Sequence, residues 1–273
     1  IEMIGGALSS DWHQLAPIDS GDLEVLRKKG YVLRAVELLR QKVNQRTIFG
    51  FKDPRVVQLL PFWRGVFDYC HYDVSYVIAI RHPLSVVNSL TKRNGIDAKK
   101  SYLLWLGHVI VSLKDSVGYR RVLVDYDRLM QAPVRELGRV SKALDLEIDQ
   151  QELQRYTSEF LDPELRHSVY ALEDLTLDDA CPPLVAEVYS TLLDVAADKI
   201  LLDDLLLQNK INSWNKEFNR FNTSLLLIDE LSQYVVGRDK QIAQFKQVVT
   251  QRDENITNLN HCLLYTSPSP RDR

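Results

Sequence analysis

An α/β fold built on a parallel sheet flanked by helices, followed by a helical segment and a coiled coil, is predicted by three observations. Two apolar, β-branched runs each end in polar residues, at Arg81 and at Asp125. Helical apolar periods separate these runs, as crossovers between parallel strands require. Near the end, ten residues fall in strict 3-4 alternation, the pattern of a coiled-coil seam.

The elements follow in chain order. Ile4 to Trp12 is short, glycine-rich and polar, with Gly5-Gly6 at its centre. Between Asp22 and Val43, Leu23, Leu26, Val32, Val36 and Leu39 interleave with basic residues. That pattern predicts one or two surface helices, with Gly30 as an imperfection. Thr47-Ile48-Phe49-Gly50-Phe51 reads as a strand that delivers Lys52-Asp53-Pro54-Arg55 to its carboxyl end, where ligands sit in open parallel sheets. Asp53 there suits capping or pairing with Arg55, and Arg55 reads as structural. Pro61 to Tyr69 predicts a helix packed on the sheet.

Val74 to Ile80 reads as a buried strand, Pro83 as the first turn of a helix, and Asn94-Gly95 as its close. That helix carries Ser85, Ser89 and Arg93 at i, i+4 spacing, so two hydroxyls and a guanidinium share one face. Arg81 leaves the strand at the helix N-terminus. Two readings of this face stay open: a phosphate site of fixed N–H donors, hydroxyls and a forked cation, or a sheet-edge arginine beside solvated serines.

A long apolar helix is predicted around Tyr102 to Leu113, with His108 packed inside it rather than acting as a base. Arg121 to Tyr126 is the third parallel-strand candidate, and Pro133 to Leu146 repeats the helical period. Leu161 to His167 reads as a solvent-facing turn, or as a basic pair, Arg166 and His167, folded over a ligand. Leucine-rich helices run from Cys181 to Lys210 with Asp203-Asp204 on their polar face, and Asn212 to Asn222 is a hinge. From Ile228 to Leu259 the seam is interrupted by Arg238 and Arg252, which weaken it and can set register.

Arg81-His82-Pro83, Ser89 eight residues after the arginine and Arg93 four further on resemble the 3′-phosphate-binding segment of sulfotransferases that use 3′-phosphoadenosine 5′-phosphosulfate (PAPS). Gly50 to Arg55 is similar to the Lys-Asp-Pro element of the bacterial and tyrosylprotein-type members, and Val122 to Asp127 to their strand ending in Tyr-Glu/Asp. The resemblance covers Gly50 to Leu146. It implies a P-loop-NTPase-like sheet, PAPS as co-substrate with no metal, and transfer of a sulfuryl group to a hydroxyl acceptor. Lys52 would be the catalytic residue, and Arg81, Ser89, Arg93 and Tyr126 would hold the nucleotide. A positioned ammonium at Lys52 would stabilise the charge that builds on the departing phosphate oxygen.

A glycan is the acceptor class suggested by similar repeats that link such domains to glycosyltransferases in some bacterial chains. The family's glycine- and hydroxyl-rich phosphosulfate loop has no counterpart in the sequence, so the chain as given is expected to be inactive even where its parent is active. The alternative is a non-catalytic nucleotide-fold module that assembles partners through its coiled coil. A kinase would need a magnesium-binding aspartate at a strand end.

The chain has 273 residues, 45% hydrophobic and 26% charged, which is ordinary globular composition. A formal charge of −3 points away from nucleic acid, so any anion site is local. No apolar run approaches the ~18 residues a membrane span needs. Cys70, Cys181 and Cys262 form neither a disulfide framework nor a zinc pattern, and a cytoplasmic location is expected. The organisation read from sequence is a sulfotransferase-like domain over 1–160, a helical extension and hinge over 161–220, the coiled coil over 221–260, and a tail over 261–273 that resembles a translated sequencing adapter.

Overall fold

The computed structural model describes residues 14–16, 18–161 and 170–266. Gly5-Gly6, Asp162 to His167 and the end of the tail lie outside them. The chain divides into two compact units, 1–222 and 223–273.

The first unit is mostly helical around a small parallel sheet. Asp19 caps α1 (Ser20–Lys28) through a reciprocal capping box with Asp22. Gly30, at φ 73°, takes the left-handed conformation that breaks the amphipathic run, and α2 (Tyr31–Val43) begins after it. Two helices therefore replace one continuous period.

The strand expected at Thr47 to Phe51 does not form. Its residues run without a ladder partner into a 3₁₀ turn, Pro54–Val56. Aromatic packing explains the diversion. Phe51 lies 5.6 Å from Trp63 and 6.3 Å from Phe67, and Phe49 lies 6.1 Å from Phe51, so the segment rests on α3 (Leu60–Tyr69) instead of a sheet edge. Helix α3 likewise departs from expectation: Phe62, Trp63, Val66 and Phe67 pack against Leu26, Val36 and Leu39 of α1 and α2 rather than on the sheet.

Among the described residues the sheet has two strands, β1 (Ser75–Ile80) and β2 (Arg120–Asp125), paired in parallel with Ile80 opposite Asp125. The crossover runs through α4 (Pro83–Asn94) and α5 (Ala98–Asp115). Pro83 opens α4, and Gly95, at φ 66°, closes it. On one face of the sheet, Val122 and Val124 are covered by Leu144 and Val140 of α7 (Pro133–Leu144), which follows the short α6 (Tyr126–Gln131). Their register partners Val77 and Ala79 stay exposed on that same face.

Beyond α8 (Gln150–Arg155) and a π turn, α9 (Glu173–Leu177), α10 (Pro183–Ala196) and α11 (Leu205–Asn219) pack on the sheet, α4 and α5 as part of the same unit. Asp203 and Asp204 do not form a polar helix face. Asp204 caps α11, and Asp203 accepts from Arg121 Nε and Nη2 at 3.1 and 2.7 Å. The Arg121 side chain is wholly buried and also donates to Leu113 O and Ser116 Oγ, which ties β2 to α5 and to the loop before α11.

The second unit is one helix, α12, whose span is Asn222–Thr266. Helix continues through residues 261–266, which the sequence had assigned to the tail. Among the described residues no helix is long and apolar enough to cross a membrane, and Cys70 and Cys181 form no disulfide.

Candidate functional site

The carboxyl ends of β1 and β2 gather the polar groups of the first unit. Because Ile80 pairs with Asp125, the next residues, Arg81 and Tyr126, emerge side by side. The Arg81 guanidinium lies 4.5 Å from the centroid of the Tyr126 ring. Such contacts stabilise by about 0.5 to 2 kcal/mol, and this one fixes the plane of the fork. The Arg81 carbonyl accepts from Trp105 Nε1 at 3.1 Å, so α5 pins its backbone as well.

Tyr126 does not finish the strand as expected. Asp125 Oδ1 accepts from Arg128 N–H and starts α6, and Tyr126 becomes that helix's first residue. A short polar side chain followed three residues later by a helical N–H is the signal that the strand reading overlooked.

Two buried polar atoms at this end have no partner among the described residues: Arg81 Nε, a donor, and Asp125 Oδ2, an acceptor. Burial also pushes the Asp125 carboxyl above the usual carboxylate range. Buried polar groups are almost always paired in folded proteins, so an orphan donor beside an orphan acceptor at strand ends marks a place where a ligand or water completes the bonding.

His82 is the hinge of the motif but not a free base. Its Nδ1 accepts from Leu84 N–H at 3.3 Å, which caps α4, and its Nε2–H donates to the Ala171 carbonyl at 3.0 Å. Both nitrogens are thus committed in the neutral ring. Burial lowers the pKa of His82, and Tyr189 packs edge-on at 4.9 Å.

The predicted face of α4 is only partly assembled. Ser85 is buried in the first turn, whereas Ser89 is exposed one turn on. Arg93 lies in the last turn, exposed, with Nε donating to Asn94 Oδ1 at 2.8 Å. Ten residues of helix separate it from Pro83, a rise of ~15 Å, so the geometry groups Arg93 with the far end of α4 rather than with Arg81.

Lys52 is exposed on the extended segment and makes no hydrogen bond or ion pair among the described residues. The residues after it are firmly held. Asp53 Oδ1 accepts from Arg55 N–H and Nε, both at 2.9 Å, and Oδ2 from Arg55 Nη2 at 2.8 Å. The Arg55 hydrogen bonds keep the Asp53 carboxyl below its ordinary range. This fulfils both the capping and the pairing expected of Asp53.

Two residues that sequence reading left as helix core connect these motifs. His108 is hydrogen-bonded through Nδ1 to the Leu104 carbonyl at 2.8 Å, and the Pro54 backbone acts on its ring against the effect of burial. Trp105 holds Arg81 through its carbonyl. These positions are i and i+3 on one face of α5, so the residues that meet the Arg81 strand end and the Lys-Asp-Pro turn lie one helical turn apart. A tryptophan and a histidine at that spacing inside an apolar helix were the available signal.

No cluster of three or more His, Cys, Asp or Glu side chains suited to a metal exists among the described residues. Compared with known proteins, the chain matches no family model, no curated protein and no solved structure.

Proposed function

We propose that the first unit is the nucleotide-binding part of a PAPS-dependent sulfotransferase built on a P-loop-NTPase-like sheet. The observation that carries the proposal is the pairing of Arg81 with Tyr126 at adjacent parallel strand ends, with Arg81 Nε and Asp125 Oδ2 buried and without a partner among the described residues. A nucleotide meets both needs. Its 3′-phosphate oxygens accept from the arginine fork, and its hydroxyl or amino groups donate to the carboxyl. Ser89 adds a hydroxyl from the exposed face of α4. Arg93 enters the proposal only as a more distant cation.

In the transfer itself, the acceptor oxygen bonds to sulfur as the bond from sulfur to the 5′-phosphate oxygen breaks, and the hydroxyl proton passes to solvent or a base. Lys52 is the proposed charge partner of the departing phosphate oxygen. Its exposure leaves the ammonium available, and Asp53 and Arg55 hold the turn that carries it. A glycan hydroxyl is the proposed acceptor.

Asp125 also favours a second reading, because an aspartate at a strand end is what a magnesium-dependent kinase requires. Its Oδ1, however, is already committed to capping α6 through the Arg128 N–H, which leaves a single oxygen for a metal.

Calorimetric titration of the full chain with 3′-phosphoadenosine 5′-phosphate, beside 5′-AMP and ATP with magnesium, separates the readings. Selective binding of the 3′-phosphate compound, weakened roughly 10- to 100-fold by Arg81→Ala, is expected for a lost charged hydrogen bond. Equal binding of 5′-AMP, or tighter binding of ATP with magnesium, overturns the proposal.

A further inference from the structure

The 45-residue helix α12 spans ~68 Å at 1.5 Å per residue and carries an apolar stripe for most of that length. One row of the heptad holds Val235, Ile242, Val249 and Ile256, each about half exposed. The other row holds Leu231, Arg238, Phe245, Arg252 and Leu259, and its three apolar members are 55% to 70% exposed. A lone helix gains little stability in water without burying such a stripe. β-Branched residues fill the first row, position a, and leucine stands at both ends of the second, position d, where β-branched a with leucine d is the combination that favours two parallel strands.

The arginines choose the partner's direction. The Arg238 guanidinium leans 6.0 Å over the ring of Tyr234, four residues earlier at position g. In a parallel pair, position g of one helix lies across from position e of the other, five residues further on. From Tyr234 that residue is the partner's Asp239. From Val248, four residues before Arg252, it is the partner's Asp253. In an antiparallel pair, g faces g, where the residues are Leu227, Tyr234, Gln241, Val248 and Asn255, and none carries a charge.

We propose that α12 pairs with a second copy of this chain as a parallel, in-register coiled coil, in which Arg238 and Arg252 reach the partner's Asp239 and Asp253. Each arginine layer then contains two reciprocal ion pairs, and a slip by one heptad leaves the guanidinium groups of Arg238 or Arg252 facing apolar neighbours.

Sedimentation equilibrium of the full chain at micromolar concentration is expected to give a dimer. Leu259→Cys, placed in a Cys262→Ser background, should form an intermolecular disulfide in a glutathione buffer, because like positions meet only in a parallel pair. The double variant Asp239→Lys/Asp253→Lys should raise the dimer dissociation constant roughly tenfold or more at unchanged helicity, and adding Arg238→Glu/Arg252→Glu should restore it. A chain that stays monomeric, a trimer, or cross-linking of Ile228→Cys to Leu259→Cys in place of the like pair overturns the proposal. So does a charge-swapped variant that fails to recover.

Discussion

At the scale of single residues, Arg121 and Arg81 show how one side chain type serves opposite ends. Arg121 is wholly buried with its donors satisfied by Leu113 O, Ser116 Oγ, Leu202 O and Asp203. Arg81 keeps a buried Nε with no partner among the described residues at a strand end. Arg121→Ala is therefore expected to cost about 3 kcal/mol, since it strips carbonyl and hydroxyl partners of a charged donor inside the fold. Chemical denaturation of the variant measures it. Arg81→Ala should change stability by less than Arg121→Ala, because only the contact with Tyr126 is lost and an unpaired buried donor is removed with it. Equal losses in the two denaturation curves would show that Arg81 is structural. The difference was invisible in the sequence, where both arginines border a β-branched run and only the partners distinguish them.

Among the elements, α5 is the strut of the molecule. It presents Trp105 to Arg81 on one side, and Gly107 to α11 on another. A Cβ added at Gly107 would lie 3.1 Å from Phe218 Cζ, and Phe218 is buried. Alanine ordinarily improves a helix by up to ~1 kcal/mol over glycine, but here the close ring opposes the gain. Gly107→Ala is expected to lower the melting temperature, and Gly107→Val to lower it further. A rise for Gly107→Ala would mean that Phe218 has room to yield. Trp105→Phe removes the donor to Arg81 O while keeping an aromatic ring. If the proposed nucleotide site is correct, it should weaken binding of 3′-phosphoadenosine 5′-phosphate roughly tenfold or less, with little loss of stability, because one hydrogen bond to the Arg81 carbonyl is deleted.

Sequence reading recovered α4, β1, β2 and the capping of Asp53, since proline, glycine and β-branched residues act locally. It misplaced Thr47 to Phe51 because Phe49 and Phe51 satisfy a β pattern equally well when their rings are drawn onto Trp63 and Phe67. That choice is made by tertiary packing, which period alone does not encode. The juxtaposition of Arg81 and Tyr126 was legible, because register makes them neighbours. The separation of Arg93 from Arg81 was not, because i, i+4 spacing reports a shared face and says nothing of distance along the axis.

For the first unit as a whole, the titrating groups combine into one pH profile. His82 and His108 are both held below their ordinary range by burial, so the unfolded chain binds protons first as pH falls below ~6.5. The folded state is then the less protonated one, and its stability drops from that pH downward until the folded histidines also titrate. Asp125 acts in the opposite sense. Its raised pKa makes the folded form take up a proton before the unfolded chain does, which returns some stability between that pKa and the ordinary carboxylate value. Asp53 and Asp198, held low by Arg55 and Arg139, contribute stability that is lost only as pH falls below ~3.8 toward their folded values. The expected curve of melting temperature against pH therefore descends in a first step below about pH 6.5 and again in a second step in the carboxylate range. His82→Gln and His108→Gln should each flatten the first step and leave the second. A single descent in the carboxylate range, unaffected by either substitution, would show that the two histidines are as accessible to protons in the folded protein as in the unfolded chain, and that neither ring is buried as its neighbours Tyr189 and Leu104 require.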